Sequence, residues 1–228
     1  MNHIIIVGGG IAGLYTQYKL LKKYKNSKNS KNSKNSKNSK NVLLIEKNNR
    51  LGGRIYTHKV NVNKKSYSME AGAGRFNHNH KLLIKLIKEL GYGKNIFKIP
   101  SKVNVICSKK KWKNHEISKF SPYDYFDSIV ENFKLKETMR KKTFDSWLNK
   151  NIDGEIAKYL KDFYPYKDVF KTNAYDAINL YKKDLNNNNN FYVLNGGLMQ
   201  ITEKLKTEIK SMGGIIRLNI ELKSIENI

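Results

Sequence analysis

The chain has 228 residues, with 44 Lys and Arg against 19 Asp and Glu, and a formal net charge of +25. This length can bury one large core or two small ones, and the charge by itself favours anionic partners such as nucleic acid. Only five basic residues are Arg, and lysine accompanies abundant Asn, Ile and Tyr, which is typical of AT-rich codons rather than of a phosphate-reading surface. One cysteine, Cys107, excludes an intrachain disulfide. Without a secretory leader or membrane-length apolar run, we expect a soluble, cytoplasmic protein.

The first segment predicts a strand, a glycine turn and a helix. Ile4–Val7 has no polar residue, which is typical of a strand buried on both faces, and Gly8, Gly10 and Gly13 follow at once as G-x-G-x-x-G. In this fingerprint the first glycine allows a tight turn, the second lets a pyrophosphate approach the backbone, and the third lets the helix pack on the strand. The pattern predicts a dinucleotide site, with a glycine turn that binds nothing as the alternative.

A Lys-Asn-Ser repeat over Lys25–Asn41 separates this helix from the next predicted strand, Val42–Ile45. The fingerprint requires an acidic residue about 20 positions after its first glycine, at the end of the second strand, to bind the ribose hydroxyls. Glu46 ends that strand but lies 46 − 8 = 38 residues after Gly8, and subtracting the 17-residue tract leaves 21. We therefore interpret the tract as a disordered surface loop whose deletion should leave nucleotide binding intact.

The rest of the chain divides into a mixed segment, an aromatic-rich helical segment and a return to strand and helix. Predicted strands cover Ile55–Val60, Tyr67–Glu70, Lys102–Cys107 and Lys111–Ile117, with a helix over Lys81–Leu90, helices from Tyr123 to Leu185, a strand, Gly-Gly turn and helix over 191–211, and two short strands in "IIRLNIELKSI".

The stretch "EKNNRLGGR" from Glu46 to Arg54 has the pattern E-x-x-x-R-x-G-G-R. Placed after a dinucleotide fingerprint, it resembles the flavin-containing amine oxidases, which include monoamine, polyamine and L-amino-acid oxidases. "MEAGAGRF" at 69–76 is similar to the family segment beside the flavin, and "YVLNGGLMQITEKL" and "IIRLNIELKSI" resemble its later strand, turn, helix and strands. The resemblance covers residues 3–76 and 191–228.

This resemblance implies an α/β fold with a Rossmann-like FAD-binding domain, built as a parallel sheet with ββ/α layers. That domain would comprise residues 1–76 and 191–228, with a mostly helical substrate-type subdomain inserted at 77–190. Family members are longer, so the resemblance also implies that the C-terminal part of the family fold is absent. The implied cofactor is FAD. The residues assigned to it are Gly8, Gly10, Ile11, Ala12, Gly13, Glu46, Lys47, Gly53, Arg54, Gly72, Ala73, Gly74, Arg75 and Leu222.

Alternatives stay open at several of these positions. Arg50 and Arg54 would also suit a surface loop held together by salt bridges, the Gly-Ala-Gly of 72–74 would suit an ordinary turn, and Leu222 would suit a core. No catalytic residue is assigned, and His78 and His80 have no supporting Cys or carboxylate cluster, so no metal site is predicted.

The implied reaction is oxidative deamination of a small amine or amino acid, with oxygen as acceptor and hydrogen peroxide as product. The alternatives are a non-catalytic FAD-binding remnant, or half of a split enzyme completed by a separate C-terminal half. A basic nucleic-acid-binding protein is less favoured, because the lysines follow no stripe or reader motif.

Overall fold

A computed structural model describes residues 4–28, 42–100, 112, 115–186 and 190–226. The chain divides into two compact units. The first comprises Met1–Phe76, His80–Phe97 and Tyr192–Ile228, and the second comprises Asn77–Asn79 and Lys98–Phe191. This division places His80–Phe97 in the first unit, whereas the sequence analysis assigns that stretch to the inserted subdomain. The predicted strand Lys102–Cys107 lies outside the described residues.

Strands and helices follow one another along the chain much as the hydrophobic pattern predicts. The strands are β1 (Ile4–Val7), β2 (Val42–Ile45), β3 (Thr57–Val62), β4 (Lys65–Glu70), β5 (Phe76–Asn77), β6 (Ile96–Ile99), β7 (Phe191–Leu194) and β8 (Ile215–Arg217). The α-helices are α1 (Ile11–Lys28), α2 (Lys81–Glu89), α3 (Pro122–Asn132), α4 (Phe144–Asn151), α5 (Gly154–Phe163), α6 (Ala174–Leu180) and α7 (Met199–Ser211). None of the helices described is both long and apolar enough to cross a membrane.

A parallel sheet in the order β1-β2-β8 is the centre of the first unit. Its core is formed by apolar residues at helical spacing on α1 and α7, together with inward residues of the strands. Gln17 of α1 is fully buried and ties two strands together, since its Nε2 donates to the carbonyl oxygens of Val42 (3.1 Å) and Ile215 (2.9 Å). The prediction of an α/β fold with a parallel sheet is confirmed.

The prediction that β1 is buried on both faces is wrong for the described chain. Ile4 and Ile6 pack against the core, but Ile5 and Val7 are 57% and 55% exposed. The reason is that α1 and α7 pack with the face of Ile4 and Ile6, while the opposite face of β1 is left without a covering element among the residues described. Among the strands described, β1 also lies at the edge of its sheet.

The Lys-Asn-Ser tract begins as helix. α1 continues through Lys28, so the prediction of a disordered loop is wrong for Lys25–Lys28. Once a helix has formed, each added residue gains a hydrogen bond, and solvated Lys and Asn can continue it for a turn. The remainder of the tract, 29–41, lies outside the described residues.

Two other strand predictions fail for local reasons. Glu116–Lys119 forms a 3-10 helix where the end of a strand was expected, because the His115 side chain accepts a hydrogen bond from the Ile117 amide and caps the turn. After β8, no second strand forms in the described residues up to 226, since Asn219 takes a left-handed conformation with φ +58° and turns the chain.

The smaller strands form two further sheets. β3 and β4 make an antiparallel hairpin, with Thr57 opposite Glu70 and a tight turn at Asn63 and Lys64, whose φ values are +48° and +64°. β5, β7 and β6 form a three-stranded sheet in that order.

The second unit is helical, as the aromatic-rich pattern predicts. Its helices begin at polar caps, for example Ser121 in a capping box with Asp124, and Asp153, whose carboxylate accepts from two backbone amides. Closely packed aromatic rings fill the core, including Phe126 4.7 Å from Tyr181 between ring centroids.

Candidate functional site

The glycine turn after β1 combines a tight bend, an open face and a close packing contact. Gly8 has φ +100°, and its amide donates to the Ile45 carbonyl at 2.8 Å. A Cβ on Gly13 would lie 2.0 Å from the Gly8 carbonyl oxygen, so the helix approaches the strand as closely as only glycine allows. A Cβ on Gly10 would meet no atom within 4 Å. The side of Gly10 on which a Cβ would stand is therefore open.

Hydrogen-bond donors line this open face. The amide of Leu14 is the first of α1 to bond within the turn, to the Gly10 carbonyl at 3.0 Å. The preceding amides of Ala12 and Gly13 make no hydrogen bond to any residue that the structure describes. Such N-terminal amides carry partial positive charge and bind anions, phosphate above all.

Glu46 lies at the carboxyl end of β2 and is 7% exposed. Its Oε2 accepts from the Gly9 amide at 2.6 Å, and its Oε1 accepts from both the backbone amide and the side-chain Nδ2 of Asn48, each at 2.8 Å. Burial raises the pKa of this carboxyl, but the Asn48 and Gly9 donors and the nearby Lys47 outweigh burial, so the net pKa is lowered. Glu46 is thus an anchored carboxylate, with lone pairs left for further donors.

The sequence analysis missed Asn48. An amide side chain two residues after a strand-ending acid is visible in the sequence, but no spacing rule assigns it a role. In the fold the Asn48 side chain orients one carboxylate oxygen of Glu46. The backbone carbonyl of Asn48 accepts from the Asn219 amide at 3.2 Å.

The Gly-Gly loop packs directly on the glycine turn. The Gly52 amide donates to the Gly9 carbonyl at 2.8 Å, and Gly52 pairs with Gly10 as a parallel bridge. A Cβ on Gly53 would lie 3.3 Å from the Gly10 Cα. The two glycine-rich segments therefore form one continuous surface.

The two arginines of this loop have different surroundings. Arg50 donates to the carbonyls of Gly53 (2.9 Å) and Ile55 (3.4 Å), and its guanidinium lies 4.9 Å from the Tyr56 ring centroid. Arg54 is exposed, and its side chain forms no hydrogen bond or ion pair within the described ranges. Arg50 therefore stabilises the loop, the role left open above, whereas the charge of Arg54 is uncompensated.

The segment after β4 runs beside Arg54. The Ala73 amide donates to the Arg54 carbonyl at 2.9 Å, and the Ala71 amide donates to the backbone carbonyl of Tyr56 at 2.8 Å. A Cβ on Gly72 would lie 2.0 Å from the Arg54 carbonyl oxygen, so this approach requires glycine. The Gly74 backbone packs on the Glu70 side chain, and Arg75 is half-buried.

Glu70 connects this segment to the start of α7. Its Oε1 accepts from the Leu198 amide at 2.6 Å, and its Oε2 accepts from the Thr57 hydroxyl at 2.9 Å. Thr57 Oγ1 in turn accepts from the Met199 amide at 3.2 Å. The carboxylate fixes the hairpin of β3 and β4 to the Gly-Gly turn before α7.

The chain after β8 returns to Glu46, because the Ile220 amide donates to the Glu46 carbonyl at 2.9 Å. Leu222 lies two residues beyond this contact and is 41% exposed. The backbone contacts thus link most of the predicted residues around one glycine turn, while Leu222 itself makes no such contact in the described chain. No group of three or more His, Cys, Asp or Glu suited to a metal occurs among the described residues.

A parallel sheet with a glycine turn and a helix N-terminus at the carboxyl end of its first strand defines an α/β protein of the nucleotide-binding type. Residues 11–227 match the profile of the flavin containing amine oxidoreductases, and the chain belongs to that family. The family implies a flavin cofactor.

Solved structures of oxidases share the fold. A putrescine oxidase bound to putrescine is 19% identical, with a TM-score of 0.54 over 95% of this chain and 50% of its own. The cyclohexylamine oxidase from Brevibacterium oxydans is 16% identical, with a TM-score of 0.57 over 94% of this chain and 50% of its own. The chain spans about half the length of these proteins.

Proposed function

We propose that the protein is an FAD-binding amine oxidoreductase that acts on a small amine or amino acid. The observation that carries the proposal is the convergence at one turn of unbonded helix amides, an open backbone at Gly10, the ionised Glu46 and the uncompensated Arg54. These groups fit a cofactor with a pyrophosphate and a ribose, because they supply anion donors and a hydroxyl acceptor side by side.

In this proposal each segment binds a different group of the cofactor. The amides of Gly10, Ile11, Ala12 and Gly13 donate to the pyrophosphate, and Gly53 admits it close to the backbone. Arg54 reaches it with a guanidinium fork. Glu46 accepts hydrogen bonds from the ribose hydroxyls.

The remaining predicted residues are proposed to lie around the rest of the cofactor. The backbone of Gly72, Ala73 and Gly74 borders the isoalloxazine, with Arg75 beside it. Lys47 and Leu222 flank the adenosine end.

FAD would supply the two-electron oxidation of the carbon that bears the amine, with oxygen as final acceptor and hydrogen peroxide as product. The residues of this chain bind and orient the cofactor, and none is assigned a proton transfer.

The proposal is tested by flavin titration of the purified chain. Arg54→Gln should weaken FAD binding by about 10-fold to 100-fold, since a charged hydrogen bond contributes roughly 1.5–3 kcal/mol. Glu46→Gln should weaken it as well. Lys85→Gln is the matched control, because Lys85 is an exposed lysine on α2 whose loss removes the same charge from the same unit. A chain that gains no flavin, or equal losses in Arg54→Gln and Lys85→Gln, would contradict the proposal.

A second candidate is a non-catalytic flavin-binding protein, alone or as half of a split enzyme. The observation that favours it is that the chain spans about half the length of the oxidases it resembles. Peroxide production by the flavin-loaded chain with a panel of amines and amino acids decides between them. Flavin binding without peroxide supports the second candidate, and peroxide excludes it.

A further inference from the structure

The second unit contains an open cavity of about 600 Å³, lined only by residues of that unit. None of its residues belongs to the proposed flavin site. Lys134, Lys136, Lys142 and Lys150 line it, together with Phe133 and Trp147, and no carboxylate does. We refer to these four as the cavity lysines. A cavity of this size is within the range of small-molecule sites, roughly 300–1,000 Å³.

The backbone holds the cavity lysines around one space. Lys134 follows α3, Lys136 and Lys142 flank the 3-10 helix Glu137–Lys141, and Lys150 lies in the last turn of α4. The Lys136 amide donates to the Met139 sulfur at 3.3 Å, and the Lys142 carbonyl accepts from the Ala174 amide at 2.9 Å. Lysines from four separate positions in the chain thus line the same cavity.

Three acids of this unit are engaged by other bases. Arg140 binds Glu137 at 2.8 Å and Asp176 at 2.7 Å. Lys161 binds Asp145 at 3.0 Å. None of the cavity lysines forms an ion pair with a residue in the described part of the chain. The positive charges of the cavity lysines are therefore not neutralised by these three acids.

The apolar part of the wall is rigid. Phe133 and Trp147 meet edge to face, with ring centroids 4.9 Å apart and planes at 82°. Trp147 is 7% exposed, so the ring forms a wall of the cavity and does not project into solvent. An apolar wall on one side lowers the local dielectric and strengthens the attraction of the lysines for an anion.

We propose that this cavity binds a small polyphosphate, meaning a compact molecule with three or more phosphate charges. Lysines act as point charges without the bidentate fork of arginine, so recognition would depend on the number of charges more than on their geometry. A compact anion fits better than a nucleic acid, because the four lysines line one cavity and do not follow a track.

The test is calorimetric titration of the full chain with sodium tripolyphosphate at low ionic strength, with and without saturating FAD. The double variant Lys136→Gln/Lys142→Gln should bind at least about tenfold more weakly, since it removes two charges that attract the anion. The control Lys158→Gln/Lys171→Gln removes the same charge from exposed positions of the same unit outside the cavity, and should change affinity by less than about twofold. One bound tripolyphosphate per chain and insensitivity to FAD are also expected.

Equal losses in the two double variants would overturn the proposal, because binding would then follow net charge alone. Binding that FAD abolishes and the cavity variant leaves unchanged would assign the anion to the glycine turn instead. Tighter binding of a single-stranded oligonucleotide at equal phosphate concentration, weakened by the same cavity variant, would make the surface a nucleic-acid site. A colourless chain that still binds tripolyphosphate through the cavity lysines would leave this proposal standing and contradict only the flavin proposal.

Discussion

Gly13→Ala should lower folding stability, whereas Gly10→Ala should leave stability unchanged and weaken cofactor binding. At Gly13 the new Cβ would lie 2.0 Å from the Gly8 carbonyl oxygen and 3.4 Å from Ile6 Cγ2. Relief requires α1 to move away from β1 by more than about 1 Å, given contact distances of about 3.5 Å. Alanine gains about 1 kcal/mol of helix propensity, but overpacking against backbone costs about 1–3 kcal/mol or more. We expect a net loss of folding stability.

At Gly10 the new Cβ meets no protein atom within 4 Å, so the free energy of unfolding should change by no more than about 0.5 kcal/mol. The methyl group would, however, occupy the space proposed for the pyrophosphate. FAD affinity should therefore fall at least about tenfold, which corresponds to about 1.4 kcal/mol.

Urea unfolding and flavin titration of both variants check this pair. Gly154→Ala is the reference for a glycine-to-alanine change in a helix, because Gly154 begins α5 and its Cβ would also meet nothing within 4 Å. A Gly13→Ala protein as stable as the parent would refute the close packing of α1 on β1. A Gly10→Ala protein with full FAD affinity would refute the assignment of the pyrophosphate to this turn.

Three further changes concern polar groups that are buried or half-buried. The lowered pKa of Glu46 predicts a stabilisation that is complete above the unfolded value of 4.5 and is lost as the pH falls through the lower folded value. Glu46→Gln should make the free energy of unfolding depend less on pH in this range, as measured by urea unfolding from about pH 3 to pH 7. Glu70→Ala leaves the Leu198 amide without its acceptor and should cost about 1–3 kcal/mol in thermal or urea unfolding, with Glu70→Gln restoring part of the loss. Tyr181→Phe removes the hydroxyl bonded to Asp127 at 2.8 Å and should cost about 1–3 kcal/mol by the same measurement. Burial, and then Asp127, raise the pKa of Tyr181, so its phenol should ionise after the exposed tyrosines in an alkaline absorbance titration, and ionisation together with them would contradict its burial.

The elements around the glycine turn could be predicted because their signals are local. A β-branched run, three glycines and helical spacing specify strand, turn and helix without reference to the rest of the chain. The partner strand is predicted by its own apolar run, Val42–Ile45, and the spacing rule, once the Lys-Asn-Ser tract is subtracted, identifies the acid at its end. Glu46 was found in this way at a separation of 38 residues from Gly8.

The partners of each side chain could not be predicted in the same way. Arg50 and Arg54 stand in the same motif, yet only Arg50 turns back onto the loop carbonyls, which depends on the path of residues 51–55. Asn48 joins Glu46 because the chain turns after β2. Likewise, the apolar composition of β1 indicates that both faces are suited to burial, not that both are covered.

β1 has an exposed face and lies at the edge of its sheet among the strands described, and this gives the net charge of the chain a role in keeping molecules apart. Unpaired strand edges with apolar residues such as Ile5 and Val7 favour association between molecules, and lysine-rich charge opposes it by repulsion. At +25 that repulsion is strong in dilute buffer, but its range shrinks from about 30 Å at 0.01 M salt to about 3 Å at 1 M. Concentrated solutions of this protein should therefore scatter more light as salt is added, the reverse of a protein whose contacts are mainly ionic.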